Sequence, residues 1–179
     1  MAYALGAMVP RSDRPRRRSL SAGGACLFLL LLTACGGSGP GAGPESKVAF
    51  RLKTTDGRTL GPRDFPGQVV VVDFWATWCA PCRIQAQILE PVSRDLQGHG
   101  VQFLAADMGE PEDTVRSYLQ GNPFPYPVLL DVDGKISDDL GISALPTLLV
   151  IDKQGGLRYL QAGLADGDTI KRIIREAGG

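Results

Sequence analysis

Val69-Val70-Val71-Val72-Asp73-Phe74-Trp75-Ala76-Thr77-Trp78-Cys79-Ala80-Pro81-Cys82 runs from a nearly unbroken apolar segment into two cysteines three positions apart. An apolar run like Val69 to Trp75 suits a strand covered on both faces, as in a sheet flanked by helices. Beyond the cysteines, Ile84, Ile88, Leu89, Val92 and Leu96 recur at helical spacing. A helix over Arg83 to Leu96 is expected, with a kink at Pro91. Cys79 then falls at or near a helix N-terminus. The unpaired N–H groups and the positive end of the helix dipole there favour a thiolate over a thiol. Cys82 lies one turn further in, close enough to close a disulfide Cys79–Cys82. This is the geometry of a dithiol that cycles by thiol–disulfide exchange. Two other uses of such a pair stand beside it. One is half of a zinc site, although a closed site needs four ligands and the chain has four cysteines and one histidine. The other is a structural crosslink, which in so small a loop removes little unfolded-state entropy.

The N-terminus bears on that cysteine count. Arg11, Arg14, Arg16, Arg17 and Arg18 precede the apolar stretch Ala25 to Leu32, and Thr33-Ala34-Cys35 follows. A basic region, a short apolar core and small residues describe an export signal over residues 1–34. The apolar core is too short for a comfortable membrane span. Leu32-Thr33-Ala34-Cys35 resembles the bacterial lipobox, which implies cleavage before Cys35 and lipid on that cysteine. Cys26 would leave with the signal, so Cys79 and Cys82 would be the only free thiols outside the cytoplasm. The whole chain has 19 basic and 19 acidic residues. Removing residues 1–34 takes five arginines and Asp13, leaving 14 basic and 18 acidic residues and a formal charge of −4. No nucleic-acid footprint and no polybasic membrane patch remain, so attachment would rest on lipid.

Residues 35–46, rich in Gly, Pro and Ser, read as a flexible tether with a reach of roughly 15–20 Å. Residues 47–179 form one domain with its own core. Val48, Phe50 and Leu52 alternate as in a half-buried strand, and Asp56-Gly57 turns it into a short return near Leu60. Val101 to Met108 is the next strand, and Glu110-Pro111-Glu112-Asp113 opens a helix through Leu119. Pro127 to Asp131 is a strand, Asp133-Gly134 a turn and Ile136 to Leu140 a short helix. Pro146 to Ile151 and Leu157 to Gln161 are strands around Lys153-Gln154-Gly155-Gly156. Asp168 to Ala177 is an amphipathic helix with Ile170, Ile173 and Ile174 on its inner face. Strands alternating with helices indicate an α/β fold.

Taken together, these elements and motifs resemble the thioredoxin superfamily, and more narrowly the extracytoplasmic TlpA/ResA-type redoxins. The matching residues are Asp73 to Cys82, Phe124 to Asp131 with Asp133-Gly134, Leu145-Pro146-Thr147, and Ile151 to Gly155. The resemblance implies a thioredoxin-like fold. Its central mixed sheet is flanked by helices, with an N-terminal β-hairpin and a helical insertion. It implies that Cys79 is the attacking nucleophile, Cys82 the resolving cysteine and Pro146 a cis-proline facing the disulfide. The backbone of Leu145 would then be free to pair with an extended substrate. Trp78 would cover the dithiol and supply apolar contact, while Trp75 belongs to the core. Asp73 matches the buried aspartate of thioredoxin that accepts a proton from the resolving cysteine. Burial should raise its pKa. Some TlpA/ResA relatives instead carry a glutamate three positions after the second cysteine, where this chain has Gln85. His99 has no assigned role. Glu110, Glu112 and Asp113 read as a helix-start cluster and not as paired catalytic acids.

The expectation is a lipid-anchored, extracytoplasmic thiol–disulfide oxidoreductase, monomeric, with no metal and no cofactor. It would reduce protein disulfides and be recharged by a membrane thiol electron donor. The resemblance suggests cytochrome c maturation, with apocytochrome c as a substrate. Two alternatives share the fold. A thiol peroxidase would use Thr77 and Arg83 around one cysteine. A copper-binding assembly factor would use two cysteines and a histidine, but the cysteine spacing differs and no histidine follows His99.

Overall fold

A computed structural model describes residues 47–96 and 98–179. The expected signal segment, Cys26, Cys35 and the tether over 35–46 lie outside the described residues. The strands are β1 (Leu52–Thr54), β2 (Thr59–Leu60), β3 (Val69–Trp75), β4 (Val101–Met108), β5 (Val128–Asp131), β6 (Thr147–Ile151) and β7 (Leu157–Ala162). The helices are α1 (Ala80–Leu96), α2 (Glu112–Leu119), α3 (Lys135–Asp139) and α4 (Gly167–Glu176), with a 3-10 turn at Pro62–Asp64.

The strands form one mixed sheet in the order β2-β1-β5-β4-β3-β6-β7. β3 is parallel to β4 and antiparallel to β6, and every one of its residues is buried. Side chains alternate along a strand, so its two faces feed separate apolar layers. Val69, Val71 and Trp75 join Leu89 and Val92 of α1, Val115 of α2 and Ile170, Ile173 and Ile174 of α4. Val70, Val72 and Phe74 join Leu104, Leu129, Leu149 and Ile151 on the other face, with Ile136 of α3 packed against them. Each fully buried Val, Leu or Ile contributes roughly 1.5–3 kcal/mol. This sandwich is the thioredoxin-like architecture, hairpin and inserted helix α2 included.

Three local readings differ from the sequence expectation. Val48 and Phe50 are buried, but the strand itself is confined to Leu52–Thr54. The preceding chain starts at an isolated bridge from Lys47 to Gly156 beside β6–β7 and reaches β1 beside β5. After the Val48 N–H bond to the Gly155 carbonyl it crosses the sheet face, where no ladder forms along it among the described residues. Next, α1 begins at Ala80, three residues earlier than the apolar spacing suggests. Finally, Ile84 is 49% exposed while Gln85 is fully buried. The buried stripe is therefore Gln85, Leu89 and Val92, at i, i+4 and i+7.

Gln85 is buried because it staples α1 to the loop before α4. Its Nε2 donates to the Ala165 carbonyl at 3.2 Å, and its Oε1 accepts the Ala165 N–H at 2.8 Å. The site needs both a donor and an acceptor, which a carboxylate cannot supply. Gln85→Ala would leave two backbone groups unpaired in the interior. It should lower the stability of the oxidised protein by about 1–3 kcal/mol, read from the urea midpoint.

Candidate active site

β3 ends at Trp75, and the chain turns through Ala76-Thr77-Trp78 before α1 begins at Ala80. The Cys79 N–H donates to the Ala76 carbonyl at 3.1 Å, which closes this turn. Cys79 therefore stands just ahead of the first helical residue. Its Sγ accepts the N–H of Cys82 at 3.2 Å, the place a side-chain oxygen takes in an ordinary helix cap. Pro81 is the second helical residue, where its missing N–H costs nothing. Cys79 and Cys82 are joined as a disulfide, with their Cα atoms 5.3 Å apart. Both are almost fully buried, whereas Trp78 beside them is 68% exposed.

Leu145–Pro146 is a cis peptide. The register pairs Phe74 with Thr147, which brings Pro146 level with the C-terminal end of β3, where the dithiol loop leaves the sheet. The Pro146 carbonyl accepts the Gly163 N–H at 2.7 Å, holding this turn against the end of β7. Leu145 is half-buried and precedes the first residue of β6.

Asp73 lies on β3 two residues before Trp75, on the face that carries Cys79, Cys82 and Tyr126. It is 1% exposed, and neither carboxyl oxygen has a hydrogen-bond partner among the described residues. Burial pushes its pKa well above the ordinary carboxylate range. Tyr126 is also buried with an unpartnered hydroxyl. Burial raises its pKa first, and the charges of Asp73 and Glu90 raise it further. Asp73 and Tyr126 thus share one low-dielectric region beneath the disulfide.

A further pair of acids belongs to this site, and the sequence reading missed it. Glu110 is buried in the loop after β4 and does not start a helix; α2 begins at Glu112. Its carboxylate accepts the Thr77 N–H at 2.6 Å and the Thr77 hydroxyl at 2.7 Å. Pro111 was the available signal, since a residue before proline is steered away from helical geometry. Asp107, at the end of β4, is fully buried and makes no well-formed hydrogen bond among the described residues; the Glu110 N–H approaches it, but burial outweighs that contact. Burial pushes its pKa up to about 8, and the neighbouring Glu110 and Asp131 add to the shift. Glu112 instead sits at the start of α2, paired with Lys53 and Arg116. His99 lies in the turn beyond α1, whose 17 residues span about 25 Å. It is therefore at the far end of that helix from Cys79.

The profile of the AhpC/TSA family matches residues 45–160. The chain belongs to the AhpC/TSA family. Thiol-disulfide oxidoreductase ResA of Geobacillus thermodenitrificans is 29% identical over 125 residues, covering 70% of this chain and 72% of ResA. The thiol:disulfide interchange protein of the thioredoxin family from Chlorobium tepidum superposes with a TM-score of 0.64 at 27% identity, covering 73% of this chain and 93% of that one. The pneumococcal exposed lipoprotein thioredoxin Etrx1 from Streptococcus pneumoniae gives a TM-score of 0.66 at 27% identity, over 72% of this chain and 99% of that one. Within the AhpC/TSA family this chain is a thioredoxin-fold thiol–disulfide oxidoreductase, and Cys79–Cys82 is its CxxC pair.

The unpartnered acid has a consequence for stability. A carboxyl whose folded-state pKa lies above its unfolded value of about 3.9 keeps its proton longer when folded. The stability this confers is complete below about pH 4 and is lost as pH rises through the folded value. Oxidised Asp73→Asn should therefore show a flatter stability profile than wild type. It should gain at least about 1 kcal/mol on wild type between pH 4 and pH 7, one pKa unit's worth. Urea unfolding across that range checks it, and parallel profiles for the two proteins would refute it.

Proposed function

We propose that this chain is a membrane-anchored, extracytoplasmic reductase of protein disulfides. Cys79 is the nucleophile, Cys82 the resolving cysteine and Asp73 the proton acceptor. The observation that carries the reading is the pairing of a dithiol at a helix N-terminus with a buried, unpartnered carboxyl on the same face of β3.

In the reduced protein the N-terminus of α1, including the Cys82 amide that points at Cys79 Sγ, favours the Cys79 thiolate. That thiolate attacks one sulfur of a substrate disulfide. A Cys79–substrate mixed disulfide forms, and the first substrate thiolate leaves. Cys82 then gives its proton to ionised Asp73 and attacks Cys79 Sγ. The Cys79–Cys82 disulfide forms and the second substrate thiolate departs, so two electrons pass from enzyme to substrate. A thiol electron donor in the membrane restores the dithiol. Exposed Trp78 supplies an apolar contact beside the sulfurs. The backbone of Leu145, ahead of cis-Pro146, offers an edge to an extended substrate chain.

The export-like N-terminus and Cys35 in its lipobox-like setting support anchoring by lipid on the extracytoplasmic face, with residues 1–34 removed and 35–46 as tether. One similar structure is that of an exposed lipoprotein. Apocytochrome c is the proposed substrate, because haem attachment needs a reduced cysteine pair. The peroxidase alternative is weakened by Thr77, whose hydroxyl and N–H are both committed to Glu110. The copper alternative is weakened by the distance of His99 from the dithiol along α1.

Reduced Cys82→Ser should accumulate a stable mixed disulfide through Cys79 when mixed with oxidised glutathione, visible by intact-mass spectrometry. Cys79→Ser should form none. Asp73→Asn should slow release of the mixed disulfide on the order of 100-fold and remove the part of the rate that rises as Asp73 ionises. Stopped-flow measurement across pH reads both effects. The potential of the pair, equilibrated against glutathione, is expected near the −270 mV typical of thioredoxin. A value near −120 mV, typical of strong oxidants, would overturn the reductase direction.

A further inference from the structure

We propose that Asp107 is a positioning residue for the dithiol: it donates its carboxyl proton to Glu110, and the pair clamps Thr77, two residues ahead of Cys79, so that losing that proton releases the clamp.

The geometry begins at Thr77. Both of its hydrogen-bonding protons, on the backbone nitrogen and the hydroxyl, go to Glu110, at 2.6 and 2.7 Å. Thr77 has no ladder to hold it, because β3 ends at Trp75. Glu110 is thus the link that ties the dithiol loop to the end of β4. Within this loop the chain makes its turn from Ala76 to Cys79, and the Cys79 sulfur is set against the Cys82 amide. Where Thr77 sits decides how Cys79 meets the end of α1.

Glu110 needs support of its own. Asp107, fully buried, meets the Glu110 side chain and lies near the Glu110 N–H, yet neither of its oxygens has a well-formed hydrogen bond among the described residues. Two carboxyl groups attract each other only when one of them keeps a proton. The groups facing Asp107 make it the one that does. Opposite it in the sheet, β3 presents Trp75 and β5 presents Leu130, neither of which carries a charge. The acids acting on it are Glu110 and, from the end of β5, Asp131. Asp131 already accepts the Ile136 and Ser137 N–H groups and the Ser137 hydroxyl, so both of its oxygens are engaged at the start of α3. Glu110 is held as an acceptor by Thr77. The remaining proton resides on Asp107, and its loss places a second negative charge against Glu110 in a region shielded from water. The release falls near pH 8, where Asp107 titrates.

The consequence for reactivity rests on the proposed role of Cys79, whereas the clamp itself does not. The experiment separates them. In the oxidised full chain no thiol titrates, so the Thr77 amide proton can be followed by NMR from about pH 6 to about pH 10. Wild type should show an inflection near pH 8. Asp107→Asn, which keeps a donor toward Glu110 but cannot ionise, should lose it, and Asp73→Asn should retain it. A flat Thr77 titration in wild type, or an inflection that survives Asp107→Asn, would overturn the clamp, and the wild-type titration decides even if the variant does not fold.

The second arm is the glutathione equilibrium of the dithiol. Wild type and Asp107→Asn should coincide at about pH 6. At about pH 10 wild type should lie about threefold or more toward the disulfide, because the released loop no longer holds the Cys79 thiolate against α1. Coincidence at both pH values with a Thr77 inflection present would overturn the coupling to the dithiol while leaving the clamp. Complete failure of the dithiol to equilibrate with glutathione would instead count against the proposed exchange function, and the Thr77 titration of the oxidised chain would still judge the clamp.

Discussion

Val69 to Trp75 lie between two apolar layers, with helices α1, α2 and α4 on one side and α3 with the N-terminal crossing segment on the other. A strand enclosed in this way cannot slip by one residue without moving each side chain to the opposite layer. Its register against β4 and β6 is therefore strongly specified. Two features of the site inherit that rigidity. The dithiol loop leaves from the end of β3, and cis-Pro146 is set level with that end by the pairing of Phe74 with Thr147. Asp73 is carried into the interior by the same alternation that buries Val71 and Trp75.

The buried acids show how the protein divides structure from chemistry. Asp131 accepts two backbone N–H groups and a hydroxyl at the start of α3, and Asp152 accepts the Gln154 and Gly156 N–H groups in the β6–β7 turn. These carboxylates are satisfied and serve as turn and helix fasteners. Asp73 and Asp107 are buried to the same degree but make no well-formed hydrogen bond among the described residues. Burial without compensation raises a carboxyl's pKa toward the range in which thiols ionise. Asp73 lies on β3, the strand that leads into the dithiol loop, and Asp107 lies on the neighbouring strand β4.

Apolar periodicity made much of the fold legible. The bounds of β3 were readable from its nearly unbroken apolar run ahead of the cysteines, those of β4 from the glycines on either side of it, and the inner face of α4 from Ile170, Ile173 and Ile174. The first turn of α1 was not. Ile84 lies on the exposed side of the helix, while Gln85 faces the loop that carries Ala165, 80 residues along the chain. Val48 and Phe50 alternate like a strand because they are buried on one side, yet beyond the Val48 N–H bond to the Gly155 carbonyl no ladder forms along them among the described residues. Periodicity reports which way a side chain faces. It does not report what passes in front of it.

The sequence by itself determined that a buried strand runs into a CxxC at the start of a helix, because both signals are local and the chemistry of the two cysteines depends on their spacing. It also marked Asp73 as an acid in an apolar run and Pro146 as the partner turn, through resemblance to a known family. Only the tertiary structure decided which acids stand unpaired and which fasten the backbone. Glu110 reads as a helix-start residue until β3 and β4 lie side by side and bring it to Thr77, 33 residues away. Hydrogen bonding across such separations depends on the sheet register, which is settled by the packing of the whole core and not by the residues near either partner.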